Sequence, residues 1–157
     1  MLSNGTEAKV GTLGSKYEFF HEWKRLSEQE EGNVALETML RGICKKDNFL
    51  DLLENFILFD HSDGKTVKIL ARNHQYLGVN EAVKAYEARK LNNGKLGVFW
   101  HTQGSGKSYS MVLLSQKIRR KFAGSPTIVI LTDRDELNTQ ISDTFENCGL
   151  LGKTKAA

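Results

Sequence analysis

The residues best suited to chemistry lie in the stretch FWHTQGSGKSYS, at positions 99–110. Gly104 and Gly106 let the backbone turn tightly and bring its N–H groups against an anion. Lys107 reaches the β- and γ-phosphates of a nucleotide as a point charge. Ser108 offers a hydroxyl to Mg²⁺. A helix beginning near Lys107 points its positive end at the same anion. The chemistry is the holding of a nucleoside triphosphate with its metal. One position departs from the common P-loop pattern: His101 stands where glycine is usual.

A phosphate loop needs a strand before it and a helix after it. LGVFW, 96–100, is a short apolar run of the kind a buried parallel strand shows. Met111, Leu114, Ile118 and Phe122 then mark one helical face, and Gly124-Ser125-Pro126 breaks it. TIVILT, 127–132, predicts a second buried strand, rich in β-branched residues. Leu137, Ile141, Phe145 and Cys148 stripe a last helix. Strand, helix, strand, helix from residue 95 onward predicts an α/β architecture with right-handed crossovers. These flanks disfavour a coincidental Gly-Lys-Ser at a helix start.

Upstream, GTEAKVGTL predicts a short strand between turns, and Tyr17, Phe19, Phe20 and Trp23 form an aromatic cluster. Leu36, Met39, Leu40 and Ile43 fall at helical spacing, as do Phe49, Leu52, Leu53 and Phe56. HSDG at 61–64 is turn chemistry, residues 65–70 alternate as a strand does, and Val79, Ala82, Val83 and Tyr86 mark a helix ending near Asn93-Gly94.

Two further positions carry open alternatives. In IVILTDRDEL, Asp133 suits a metal-holding Walker B aspartate, but Arg134 follows where a water-activating glutamate is normal. The same segment suits a loop touching a nucleic-acid backbone through Thr132, Arg134 and Gln140, or a helix cap made by Asp133 or Thr132. Gln75, in ARNHQYLGVNEAV, has an amide able to pair with N6 and N7 of adenine. Taken alone that signal is weak and an exposed polar residue is the better reading of it, and Arg72 and His74 are ambiguous alone.

Composition bounds these readings. A net charge of +3 over 157 residues permits a nucleic-acid partner without demanding one. Cys44 and Cys148 lie far apart and read as reduced thiols of a cytoplasmic protein, not a disulfide or metal framework. There is no signal-peptide pattern, and no apolar run approaches the ~18 residues of a membrane span.

Taken together, NGTEAKVGTL, EFFHEWKRL, LLENFILFD, ARNHQYLGVNEAV, GVFWHTQGSGKSYSM and IVILTDRDELNTQI resemble, in order, the R subunit of type I restriction enzymes, which translocates and cleaves DNA. The resemblance covers most of residues 4–146, and histidine at position 101 is expected in it. It implies a superfamily 2 helicase-like motor using ATP and Mg²⁺. Gln75 matches the adenine-reading glutamine. Thr102, Gln103, Gly104, Ser105, Gly106, Lys107 and Ser108 match the ATP- and Mg²⁺-binding motif. Residues 131–137, with Thr132 and Arg134, match a motif that usually touches the DNA backbone, which weighs against Asp133 as a metal ligand. Double-stranded DNA and the methyltransferase and specificity subunits are the implied partners.

The implied fold is an incomplete P-loop, RecA-like domain over 65–157, preceded by a mainly helical linker over 1–64. A complete R subunit is many times longer. This sequence shows no acidic nuclease cluster, no Asp-Glu Walker B, no second RecA-like domain with its arginine finger and no methyltransferase-docking region. Binding without appreciable turnover is therefore expected. Other strands would separate LGVFW from TIVILT in the implied sheet, so the two must either pair directly or stay unpaired in a marginally stable chain. Two rival readings remain: a small self-contained P-loop kinase using Asp133, and a non-enzymatic interaction module with an apolar patch at residues 13–23.

Overall fold

The structure is a computed structural model that describes residues 1–151. It is a mixed α/β arrangement of five helices and two small antiparallel sheets. β1 (Leu2–Ser3), β2 (Ala8–Val10) and β3 (His21–Glu22) form the first sheet, with β2 central. β4 (Ile57–Asp60) and β5 (Val67–Leu70) form a hairpin in which Ile57 faces Leu70 and Asp60 faces Val67. The helices are α1 (Leu36–Ile43), α2 (Lys46–Asn55), α3 (Asn73–Glu87), α4 (Lys107–Lys121) and α5 (Asp135–Asn147). The five helices and the strands at Ala8–Val10 and Val67–Leu70 sit where the hydrophobic periodicity places them. β4 was not legible: the apolar spacing of α2 runs on through Phe56, although FILF followed by a turn and TVKIL is a hairpin pattern.

One apolar core runs through both halves of the chain, joining Val10, Trp23, Met39, Phe56, Val79, Val83, Val112 and Phe145. The aromatic cluster divides. Trp23 is buried against Tyr76 with ring centroids 5.3 Å apart, whereas Tyr17 and Phe19 are exposed. Trp23 fits only because residue 42 is glycine: a Cβ there would lie 2.1 Å from Trp23 Nε1. Gly42→Ala is therefore expected to destabilise the fold by about 1–3 kcal/mol through overpacking. A lowered urea midpoint at unchanged slope is the expected readout, and an unchanged midpoint would contradict this packing.

Three expectations fail. LGVFW and TIVILT are not strands and pair with nothing among the described residues. Their apolar side chains remain out, with Val98 93% and Leu131 91% exposed. The strand–helix–strand–helix order and its crossovers are therefore absent; the chain from residue 95 runs loop, α4, loop, α5. The reason is that a parallel strand draws its hydrogen bonds from neighbours in a sheet, and neither run pairs with any described strand. The third concerns α4, whose buried positions include Ser110, Val112, Leu113, Lys117 and Ile118, while Met111 is exposed. α4 packs against α2, α3 and α5, so no single stripe describes it.

Candidate nucleotide site

α4 begins where glycine allows it to. Gly106 takes φ +82° and ψ +38° as the residue before the helix, a left-handed conformation that side chains other than glycine rarely adopt. A Cβ at Gly106 would also lie 2.9 Å from Gln75 Nε2. Gly104 has φ +74°. No side chain caps the first turn of α4, and that turn carries no acidic residue. Its N–H groups and dipole thus stay open to an anion, with no side chain competing for them. Lys107 Nζ reaches back 2.8 Å to the Thr102 carbonyl, bridging the loop, and the Ser105 N–H donates to the same carbonyl at 3.3 Å. Ser108 is half-buried in the first turn, and Gln103 and Gly104 are exposed at the tip. Glycine conformation, an uncapped helix start and a lysine folded over the loop form a cradle of the kind a phosphate chain needs.

α3 holds this loop from behind. Gln75 is 4% exposed, which corrects the reading of it as an exposed polar residue. Its Oε1 accepts from the Arg72 N–H at 2.9 Å, and its Nε2 donates to the Gly106 carbonyl at 3.0 Å. One amide N–H and one oxygen lone pair remain. His74 Nε2 lies 3.0 Å from the Ser105 carbonyl, so this nitrogen carries the proton and donates. His101 fills the position of the usual glycine by wedging between α3 and the loop. Its ring lies 4.4 Å from Phe99 and 4.8 Å from His74 by centroid. Gly78 makes the room: a Cβ there would stand 2.6 Å from Phe99 and 3.3 Å from His101 Nε2. His74 and Gly78 act on the loop, yet their sequence signals are indistinct, because helix–loop contact depends on packing alone.

Burial, and then neighbouring His74 and Lys107, hold the His101 imidazole below its ordinary value of 6.5. Burial, and then Arg72, do the same to His21. Protons therefore bind the unfolded chain first on acidification, so stability is expected to fall as the pH drops below about 6.5. The fall should be shallower in His21→Leu, which lacks one of these groups. Urea midpoints at neutral and mildly acidic pH compare the slopes; identical slopes would contradict the burial of His21.

The segment 127–134 is separate from this cradle. Arg134 occupies the residue before α5, and no side chain caps that helix, so neither Asp133 nor Thr132 is its cap. Asp133 and Arg134 face each other at 4.0 Å with side chains 82% and 75% exposed. Thr132 is half-buried beside them. No hydrogen bond or ion pair among the described residues joins Thr132, Asp133 or Arg134 to the loop. No group of three or more His, Cys, Asp or Glu side chains among the described residues is placed to hold a metal. Cys44 and Cys148 are free thiols. No helix of the described residues is long and apolar enough to cross a membrane.

The SWI2/SNF2 ATPase family profile matches residues 74–157, from His74 through the cradle and onward, and the chain belongs to that family. Its relatives are more particular. The type I restriction enzyme HindI endonuclease subunit of Haemophilus influenzae is 36% identical over 94% of this chain, which spans 15% of that protein. The putative type I restriction enzyme MjaIXP endonuclease subunit of Methanocaldococcus jannaschii is 28% identical over 94% of the chain and 16% of its own length. A second subunit from that organism, MjaVIIIP, is 33% identical over 78% of the chain and 12% of its length. The resemblance read from the sequence to type I restriction subunits is thus met by proteins of that name. The chain spans about a sixth of their length or less.

Proposed function

We propose that residues 101–108 wrap the triphosphate of ATP, and that this chain is the nucleotide-binding beginning of a DNA-translocating, DNA-cleaving type I restriction motor. The observation that carries the reading is the start of α4: left-handed Gly106, an uncapped first turn, and Lys107 poised over the loop by its 2.8 Å bond to Thr102. In this reading Lys107 exchanges the Thr102 carbonyl for β- and γ-phosphate oxygens. The amides around Gly104, Ser105 and Gly106 hold the remaining oxygens, with Thr102 and Gln103 shaping the loop. Ser108 offers its hydroxyl to Mg²⁺, which neutralises phosphate charge. Gln75 ties the loop to α3 and directs its free amide valences to adenine.

Residues 65–157 then belong to the first P-loop motor unit and 1–64 to the linker segment preceding it. Thr132 and Arg134, on the exposed segment before α5, touch the backbone of double-stranded DNA. The methyltransferase and specificity subunits of a cytoplasmic restriction complex are the partners. Asp133 is followed by Arg134, so these residues supply binding without a carboxylate that orients water.

Mg-ATP at about 100 times its Kd is expected to stabilise the chain by about 2.7 kcal/mol, a rise of roughly 5–10 °C in Tm. Phosphate release should stay below about 1 s⁻¹ with or without duplex DNA, under the ordinary range for enzymes. An unmoved melting curve at saturating Mg-ATP would refute nucleotide binding, and faster release would refute the inactive assignment.

A further inference from the structure

A second cleft opens between α2, α3, α4 and the segment Leu26–Gln29, and none of residues 101–108 lines it. Its volume of about 660 Å³ suits a small-molecule site. The wall at Leu26–Gln29 is fixed at both ends. Asn73, 7% exposed, accepts from the Lys24 and Arg25 N–H groups at 3.1 and 2.9 Å, and its amide donates to the Arg25 carbonyl at 2.9 Å. The Leu26 N–H donates to the Glu30 carboxylate at 3.0 Å.

The charges of this cleft do not cancel. Each lysine and arginine in its lining already has an oxygen partner. Lys84 pairs with Glu81 at 2.6 Å, Lys117 with Asp51 at 2.5 Å and Lys121 with Glu87 at 2.7 Å, while the Arg120 guanidinium donates to the Glu54 carbonyl. Glu28, Asp47 and Glu54 also line the cleft, and none of them has an ion pair among the described residues. A separate observation points to the same lack of a donor. Asn55 is 6% exposed and lines the cleft; its Nδ2 donates to Asp51 at 2.9 Å and to Glu54 at 3.4 Å, but its Oδ1 is buried with no partner. A buried acceptor without a donor is costly, so a ligand that supplies an N–H is favoured there.

One metal ion does not meet this need. Asp47 and Glu54 stand seven residues apart on α2, about 10 Å along the axis, too far to share an ion. No group of three or more His, Cys, Asp or Glu side chains among the described residues is placed to hold one. Spaced N–H donors on a flexible stem do fit, and Leu26, Leu77 and Val83 give such a stem apolar surface.

We propose that this cleft binds a linear aliphatic polyamine, whose spaced ammonium groups pair with Asp47, Glu54 and Glu28 while one N–H satisfies Asn55 Oδ1. The ligand would join α2 and the Leu26–Gln29 wall to the helix that begins at the phosphate cradle. Its site is independent of the nucleotide reading, because it shares no residue with the cradle.

The test is calorimetric titration of the full chain with spermidine, in low salt and without nucleotide. Saturable binding is expected, about tenfold or more tighter than that of butylamine, whose single amine engages one carboxylate at a time. Asp47→Asn and Glu54→Gln should each weaken spermidine severalfold; both side chains are exposed, so the fold survives their loss of charge. Glu146→Gln, exposed on α5 and outside the lining, makes the same change in net charge and should leave the affinity within about twofold. Asn55→Leu should also weaken binding severalfold, with its urea midpoint measured alongside; should it fold poorly, the Asp47 and Glu54 variants still decide. Absence of saturable heat, or equal losses in Glu146→Gln and Glu54→Gln, overturns the site. Displacement of spermidine by equimolar Mg²⁺ reduces it to screening by any cation and overturns it too. A trilysine peptide that binds more tightly than spermidine assigns the cleft to a protein partner and likewise refutes the polyamine.

Discussion

Lys107→Ala is expected to weaken Mg-ATP and Mg-tripolyphosphate alike, by about tenfold to a hundredfold, the worth of a charge-assisted hydrogen bond to phosphate. The argument is electrostatic and geometric. Lys107 is fixed over the loop by its bond to Thr102 at 2.8 Å. A phosphate chain lying on the first turn of α4 meets that ammonium without requiring the lysine to be ordered from solution, so little side-chain entropy is lost on binding. Lys107→Arg should restore only part of the affinity, because a planar guanidinium does not replace a point charge in a cramped loop. The lost bond to Thr102 is exposed and neutral on one side, so the variant should unfold at nearly the wild-type urea concentration. Calorimetric titration with both ligands measures the effect. Equal affinity in wild type and Lys107→Ala would remove the basis for a nucleotide site.

The largest effect on stability is expected at Asp51. Lys117 is buried on α4 and its Nζ lies 2.5 Å from Asp51 Oδ1 on α2 and 2.6 Å from Asn80 Oδ1 on α3, above the Phe56 ring at 4.7 Å. Burial pushes the Lys117 pKa down, and Asp51 pulls it back up. Asp51→Ala leaves the half-buried ammonium hydrogen-bonded to Asn80 with only the Glu54 negative charge nearby, and should cost about 3–5 kcal/mol. The side chain of Asp51 is 23% exposed against 7% for Lys117, which favours the lower end of that range. Replacing both, as Asp51→Ala with Lys117→Met, should recover most of the loss, since an apolar pair has no charge to desolvate.

The pH dependence has a definite sign. Without Asp51 the folded Lys117 pKa falls further below 10.5, so the unfolded chain binds the proton more strongly. The deficit of Asp51→Ala should therefore shrink as the pH rises through the alkaline range. Urea unfolding at neutral and alkaline pH provides the check; a neutral effect of Asp51→Ala at pH 7 would show that the pair is solvated. The consequence reaches the site, because α4 carries both Lys107 and Lys117. Asp60, which accepts from the Tyr109 hydroxyl at 2.6 Å, gives α4 a second polar tie to the hairpin.

Several features were legible without coordinates because their causes are local. Apolar residues three and four apart mark α1, α2, α3 and α5 whatever surrounds them. Gly-Ser-Gly-Lys-Ser announces a tight loop leading into a helix, because the left-handed turn at position 106 needs glycine. The likeness to type I restriction subunits was equally present in residue order, from NGTEAKVGTL to IVILTDRDELNTQI.

Tertiary structure decided what depends on partners distant in the chain. LGVFW and TIVILT have strand composition, yet a strand exists only where another strand supplies its hydrogen bonds, and none does here. Gln75 could be identified as an amide of interest, but its burial under Gly106 follows from the packing of α3 on α4. The pinning of Lys24 and Arg25 by Asn73, the wedge of His101 against Gly78, and the Asp51–Lys117 pair each join residues 23 to 66 positions apart. No periodicity reports such contacts, because they arise from the geometry in which helices and loops meet rather than from the repeat of any one element.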